Sequence, residues 1–163
     1  MEWLGPWEST RPPGSSGRGA GYRALTRDLI RQGRDGRALP FVVTYDDDMV
    51  GQLTVTGITY GSARWAQVGY WISEAYAGRG IMPTAVALAV DHCLFALELH
   101  RIEIAIRPEN TASLRVVQKL GFHEIGLAPR YLHINGVWHD HYLFAITVED
   151  VPNGLLQRVL HAE

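Results

Sequence analysis

Tyr22, Leu25, Leu29 and Ile30 fall on one face of a 3.6-residue spiral, so Tyr22 to Gln32 is expected to form an amphipathic helix that Gly33 can end. From Phe41 onward the period shortens to two. Phe41 to Tyr45 and Met49 to Thr56 read as strands, and the acidic run Asp46-Asp47-Asp48 between them suggests a hairpin. Gln67 to Ile72 reads as a third strand. The segment Ala77-Gly78-Arg79-Gly80-Ile81-Met82 then opens a helix reaching about Glu98, with Val86, Val90, Cys93 and Leu97 on one face. Arg101 to Ile106 alternates, with three isoleucines on one side, and is a strand. A strand, helix, strand unit of this length implies a parallel pair with a right-handed crossover. A short helix follows over Thr111 to Leu120, with Asn110 as N-cap, Gly121 just past its end, and Leu114, Val117 and Leu120 facing inward. Tyr131 to Ile134 and Val137 to Thr147 flank Asn135-Gly136, a strong hairpin signal. Val151 to Leu160 suggests a weak terminal helix. The sum is an α/β (α+β) chain with a mixed central sheet and flanking helices.

Composition narrows the class without changing the fold. The 163 residues suit one domain, spanning 1–163, with 1–21 as loop. A content of 47% apolar and 20% charged residues is ordinary for a globular protein, and a net charge of −2 argues against a nucleic-acid surface. No apolar run approaches the roughly 18 residues of a membrane span. The first residues lack a basic stretch followed by an apolar one, so no signal peptide is expected. A single cysteine, Cys93, excludes an internal disulfide and sits on an apolar helix face, where it reads as core. A cytoplasmic location is the simplest expectation.

The chemistry concentrates after the third strand. A strand ends near Ile72, a Gly-x-Gly turn follows, and a helix opens near Met82. A helix start offers unpaired N–H groups and a positive dipole end, and glycines let backbone approach a phosphate closely. That is the design of a pyrophosphate cradle. A tight turn without a ligand explains the same glycines equally well.

The surrounding motifs break that tie. In one order the chain carries Val68-Gly69-Tyr70-Trp71-Ile72, Ala77-Gly78-Arg79-Gly80-Ile81-Met82-Pro83, His100-Arg101-Ile102-Glu103, Arg107-Pro108-Glu109-Asn110-Thr111-Ala112-Ser113 and Lys119-Leu120-Gly121-Phe122. This series, over roughly Leu39 to Thr147, resembles the GNAT superfamily of N-acetyltransferases. Within it the chain looks like the RimJ/RimL type, which acetylates alanine termini of ribosomal proteins, and Arg130-Tyr131-Leu132 to His141 is similar to that group as well. The resemblance implies acetyl-CoA as cosubstrate. It places the pyrophosphate on Ala77, Gly78, Arg79, Gly80, Ile81, Met82 and Pro83, and the pantetheine along the backbone of Trp71 and Ile72. Ala77 and Met82 depart from the family signature, which backbone binding tolerates, and Arg79 would add charge there. Asn110 would reach the pantetheine while capping its helix.

The same resemblance exposes two gaps. The tyrosine that many members use as acid is Val117 here, and the glutamate that many use as base is Gln67. Ser113 occupies a position proposed for thiolate protonation, with a plain surface serine as the alternative. Glu103 is a candidate base, with pairing to a nearby arginine as the alternative. Near pH 7.5 roughly a third of an α-amine (pKa about 7.7–8.0) is already neutral, against about 0.1% of a lysine amine (pKa about 10.4). A site without a strong base therefore suits a protein N-terminus. The expected reaction is direct attack of the neutral amine on the thioester, without an acyl-enzyme, with the oxyanion held by a strand N–H near Ile72. A small amine or antibiotic as acceptor, or a non-catalytic acyl-CoA-binding module, are the competing readings.

His133, His139 and His141 suggest a metal cluster at first sight. An Asn-Gly turn pairs Ile134 with Val137, His133 with Trp138 and Tyr131 with Asp140. That register sets His133 with Tyr131, Trp138 and Asp140 on one face, away from His139 and His141, and no metal site is expected. Tyr131 and Asp140 would line the amine entrance, with a structural hydrogen-bonded pair as the equal alternative. Finally, the implied fold usually opens with a strand and a helix, yet no strand-like run precedes Tyr22. Either the chain as given is truncated there, or its sheet lacks that strand, leaving Phe41 to Tyr45 as an exposed edge able to pair with a second copy in a homodimer.

Overall fold

The computed structural model describes residues 3–14 and 22–161. Six strands form one mixed sheet: β1 (Leu39–Tyr45), β2 (Asp48–Thr59), β3 (Trp65–Ile72), β4 (Arg101–Ile106), β5 (His123–Ile134) and β6 (Val137–Thr147), in the order β1-β2-β3-β4-β6-β5. The helices are α1 (Tyr22–Arg34), α2 (Ile81–Asp91), α3 (Thr111–Leu120) and α4 (Leu156–Leu160). Every pairing is antiparallel except β3 with β4, the strands joined through α2. The mixed α/β architecture is the one expected, and β4 and α3 keep their expected bounds.

Turn chemistry sets the two hairpins. Asp46 and Asp47 both take positive φ, as do Asn135 and Gly136, the backbone that matches the twist of paired strands. The core lies on one side of the sheet. Leu53 and Val55 of β2, Ala66 and Val68 of β3, and Ile102, Ile104 and Ile106 of β4 pack with Val86, Val90 and Cys93 from the α2 segment and Val117 and Leu120 of α3. Asp91 accepts from the N–H groups of Leu155 and Leu156 at 2.6 and 3.0 Å, fixing the C-terminal segment to α2.

Several boundaries differ from expectation. The α2 spiral widens into a π-turn over His92–Ala96 and ends before Glu98, which has a positive φ of 53°. The strand β5 begins at His123, eight residues early, because Gly126 and Pro129 hide its alternation. The terminal helix is confined to Leu156–Leu160. On α1 the expected inward face is not buried, with Leu25 and Ile30 about half exposed. β1 is an outermost strand, and Val42 at its centre is 60% exposed. Among the described residues no helix is long and apolar enough to cross a membrane.

Candidate functional site

A cleft of ≈ 670 Å³ opens where β3 leaves β4. The two strands pair only from Trp65↔Arg101 to Gln67↔Glu103. Past that point β3 continues to Ile72 with one edge free of β4. The cleft is walled by Tyr70, Trp71 and Ile72, by the turn Ala77, Gly78 and Gly80, by Ile81, Met82 and Pro83 at the start of α2, and by Asn110 and Ser113 at the start of α3.

The turn has the properties of an anion cradle. Gly78 and Gly80 have φ of 76° and 77°, and a Cβ built on either meets nothing within 4 Å, so the space before the backbone is open. Gly80 is the N-cap of α2 and no side chain caps that end. Thr84 turns its N–H and hydroxyl back onto the Gly80 carbonyl at 3.3 and 2.9 Å, and Pro83 has no N–H. The N–H groups of Ile81 and Met82 therefore head the helix with the dipole behind them. Nine of the ten residues the sequence assigned to the coenzyme line this one cleft. Arg79 is the exception. Its guanidinium stacks 5.2 Å from the Tyr76 ring centroid and lines a neighbouring groove between β1 and α2, because consecutive side chains of the turn diverge.

Across the cleft, Asn110 caps α3 through its Oδ1, which accepts from the Ser113 N–H at 3.1 Å. Its amide nitrogen stays available to a ligand. The Tyr70 hydroxyl lies 3.5 Å from the Ser113 carbonyl, and burial pushes the phenol up from its ordinary pKa, so it stays protonated. Cys93 is fully buried, and burial pushes its thiol up to about 11, which excludes it as a nucleophile at neutral pH.

The opposite face of β3 carries Gln67, Gly69 and Trp71, since side chains alternate along a strand. A smaller hollow there is lined by Gln52, Thr54 and Thr56 of β2, Gly69 and Trp71 of β3, and Leu4, Trp7 and Glu8. Leu4, Trp7, Tyr70 and Trp71 border both hollows, so the two meet. The N-terminal arm thus roofs the site. Its apolar trio Trp3, Leu4 and Trp7 could be expected from the sequence to pack on the body, but no pattern there says where. Trp3 Nε1 donates to the Ile72 carbonyl at 3.0 Å, Arg107 donates to the Pro6 carbonyl at 2.8 Å and lies over the Trp7 ring, and Thr10 N–H donates to the His133 carbonyl at 2.7 Å.

The remaining candidates sort by their partners. Glu103 is held by Arg101, with Nε donating to Oε1 at 2.7 Å, which is the pairing alternative. Tyr131 requires a correction. It does not share a face with Asp140 away from His141. The β5–β6 register shifts between Ala128 and Leu132, Arg130 takes a positive φ, and the Tyr131 ring lies 5.8 Å from the His141 ring. Tyr131 reaches instead to β3, where its hydroxyl accepts from Gln67 Nε2 at 2.9 Å. Asp140 is engaged by the Arg130 N–H at 2.8 Å. His141 is buried, and burial holds its pKa below the usual histidine value, helped by the Arg107 and His139 charges. Among the described residues no group of three His, Cys, Asp or Glu side chains is placed to hold a metal ion.

Comparison with known proteins converges on one chemistry. Residues 1–123 match the model of the acetyltransferase (GNAT) domain. A probable N-acetyltransferase, YjcK of Bacillus subtilis, is 43% identical over 105 residues, which are 64% of this chain and 58% of that protein. The [ribosomal protein uS5]-alanine N-acetyltransferase of Escherichia coli is 30% identical over 93% of this chain and 79% of its own length. Among solved structures, Mycobacterium smegmatis RimJ in complex with CoA-disulfide superposes with a TM-score of 0.89 at 40% identity, covering 99% of this chain and 78% of that one.

Proposed function

The chain belongs to the acetyltransferase (GNAT) domain family, whose members draw the acetyl group from acetyl-CoA, and from that premise we propose that it acetylates the N-terminal α-amine of a protein. The observation that carries the coenzyme half of this reading is the open glycine turn, Gly78 and Gly80, facing Asn110 across one cleft. The backbone N–H groups from Gly78 to Met82 hold the pyrophosphate, and the Asn110 amide and the edge of β3 that β4 leaves uncovered, beside the Ile72 carbonyl held by Trp3, take the pantetheine. Bound acetyl-CoA supplies an activated thioester to a neutral amine. With acetyl-CoA bound, a β3 N–H near Ile72 would face the thioester oxygen, and Ser113 at the start of α3 would line the coenzyme's path.

The acceptor half rests on two things. The Escherichia coli relative is, by its name, a [ribosomal protein uS5]-alanine N-acetyltransferase. The hollow under Leu4 and Trp7 carries one carboxylate, Glu8, at its exposed rim, while at the strand positions Gln67 cannot take a proton and Glu103 is paired with Arg101. An amine that is already about one-third neutral near pH 7.5 suits such a site.

Incubation with acetyl-CoA and two peptides, one with a free alanine terminus and one with a blocked terminus and a free lysine, tests this by mass spectrometry. A 42-dalton gain (about one acetyl group for one hydrogen) on the alanine peptide in preference to the lysine peptide is expected. Preference for lysine, or for a small amine over both, would overturn the acceptor assignment. Tight coenzyme binding with no transfer to any acceptor would overturn the enzymatic one.

A further inference from the structure

Gln67 is the last residue of β3 that pairs with β4. Its neighbours Ala66 and Val68 point into the core, so its side chain lies on the other face of β3, the face that carries Gly69 and Trp71. Two strands, β4 and β6, lie between β3 and β5 in the sheet, a span of about 14 Å at the usual strand spacing. The Tyr131 hydroxyl nevertheless reaches Gln67, at 2.9 Å. The register shift between Ala128 and Leu132, with Arg130 at φ 49°, turns the end of β5 back over the sheet to make this possible. Tyr131 is therefore brought from the far edge to the point where β3 and β4 separate.

We propose that Tyr131 is a catalytic residue of the acetyl transfer and that Gln67 is its positioning residue. This rests on the acetyltransferase reading above. A phenol has one hydrogen to donate. Because the oxygen accepts from the Gln67 amide, that hydrogen is left for the opening between the strands. As the amine nitrogen bonds to the acetyl carbon, the carbon–sulfur bond breaks and its electron pair goes to sulfur. The sulfur takes the phenol hydrogen. The proton shed by the acylated nitrogen returns to the phenol oxygen through water, so atoms and charge balance with no added reagent. Tyr131 thus supplies, from strand β5, the acid that Val117 of helix α3 cannot. The His141 ring beside it gives its Nδ1 hydrogen to the His139 carbonyl at 3.0 Å, which fixes the plane against which the phenol packs.

The direction of the Gln67 bond makes the test sharp. Gln67→Glu keeps the length and the contact but reverses the polarity, because a carboxylate only accepts and would draw the phenol hydrogen onto itself. Both Tyr131→Phe and Gln67→Glu are expected to lower kcat on the order of 100-fold. KM for acetyl-CoA and for the alanine-terminated peptide should stay within about threefold, and the thermal midpoint near wild type. If position 67 served directly as the base, Gln67→Glu would raise kcat, and that result would overturn the proposal. Unchanged kcat in Tyr131→Phe would overturn it too, while leaving the acetyltransferase reading intact. A wild-type protein that binds coenzyme but transfers nothing would defeat both. Should Tyr131→Phe fail to fold, Gln67→Glu alone still separates the outcomes by the sign of its effect.

Discussion

His141 shows how one side chain carries information that no motif announces. It is 3% exposed and its pKa is lowered by burial. In the unfolded chain it would titrate near 6.5. Between the folded and unfolded values the unfolded state binds the extra proton, so the folded state weakens as pH falls. This contribution is whole above about pH 6.5 and is lost toward the lower folded value. Melting curves should therefore fall more steeply between pH 7 and pH 5 for the wild type than for His141→Gln. Parallel curves would mean that His141 is not held neutral. Among single residues, Asn110 and Gly121 were legible because a cap and a left-handed helix end each demand a particular residue type, and both take those places. The face of Tyr131 was not legible, because it depends on a register shift that ideal pairing ignores.

The strands were mostly readable as elements because one face of each is buried, which forces alternation. β5 was the exception. Its first half runs along the outer edge, where Ile125 and Leu127 are about half exposed and impose no clean pattern. At this scale the contact that matters is between β2 and β3, directly behind the coenzyme wall. A Cβ on Gly51 would collide with the Trp71 carbonyl oxygen, a backbone atom held in the β2–β3 pair. Gly51→Ala is expected to cost about 1–3 kcal/mol and lower the melting temperature by several degrees. Gly69→Ala, on the same pair of strands, meets nothing within 4 Å and should be nearly silent in a thermal melt. Equal effects from the two would show that β2 and β3 do not approach closely at Gly51.

Over the whole molecule, two hollows meet at one gap in a sheet. The gap follows from topology: the one parallel pair, β3 and β4, is short, and its strands diverge after three residue pairs. The helix starts of α2 and α3 face one side of the gap, and the N-terminal arm roofs the other. The helix starts could be read from the chain, since their glycines and asparagine are local signals. The arm could not, because its hold on Ile72, Arg107 and His133 joins residues about 70 to 125 positions apart. The central claim is that this gap, from Tyr70 to Pro83 with Asn110 opposite, holds coenzyme A. Amide hydrogen exchange with and without saturating coenzyme A measures that directly. Slower exchange is predicted in 70–72, 78–82 and 110–113, with 41–45 on the β1 wall of the neighbouring groove unchanged. Protection confined to 41–45, or no protection in the glycine turn, would contradict the account.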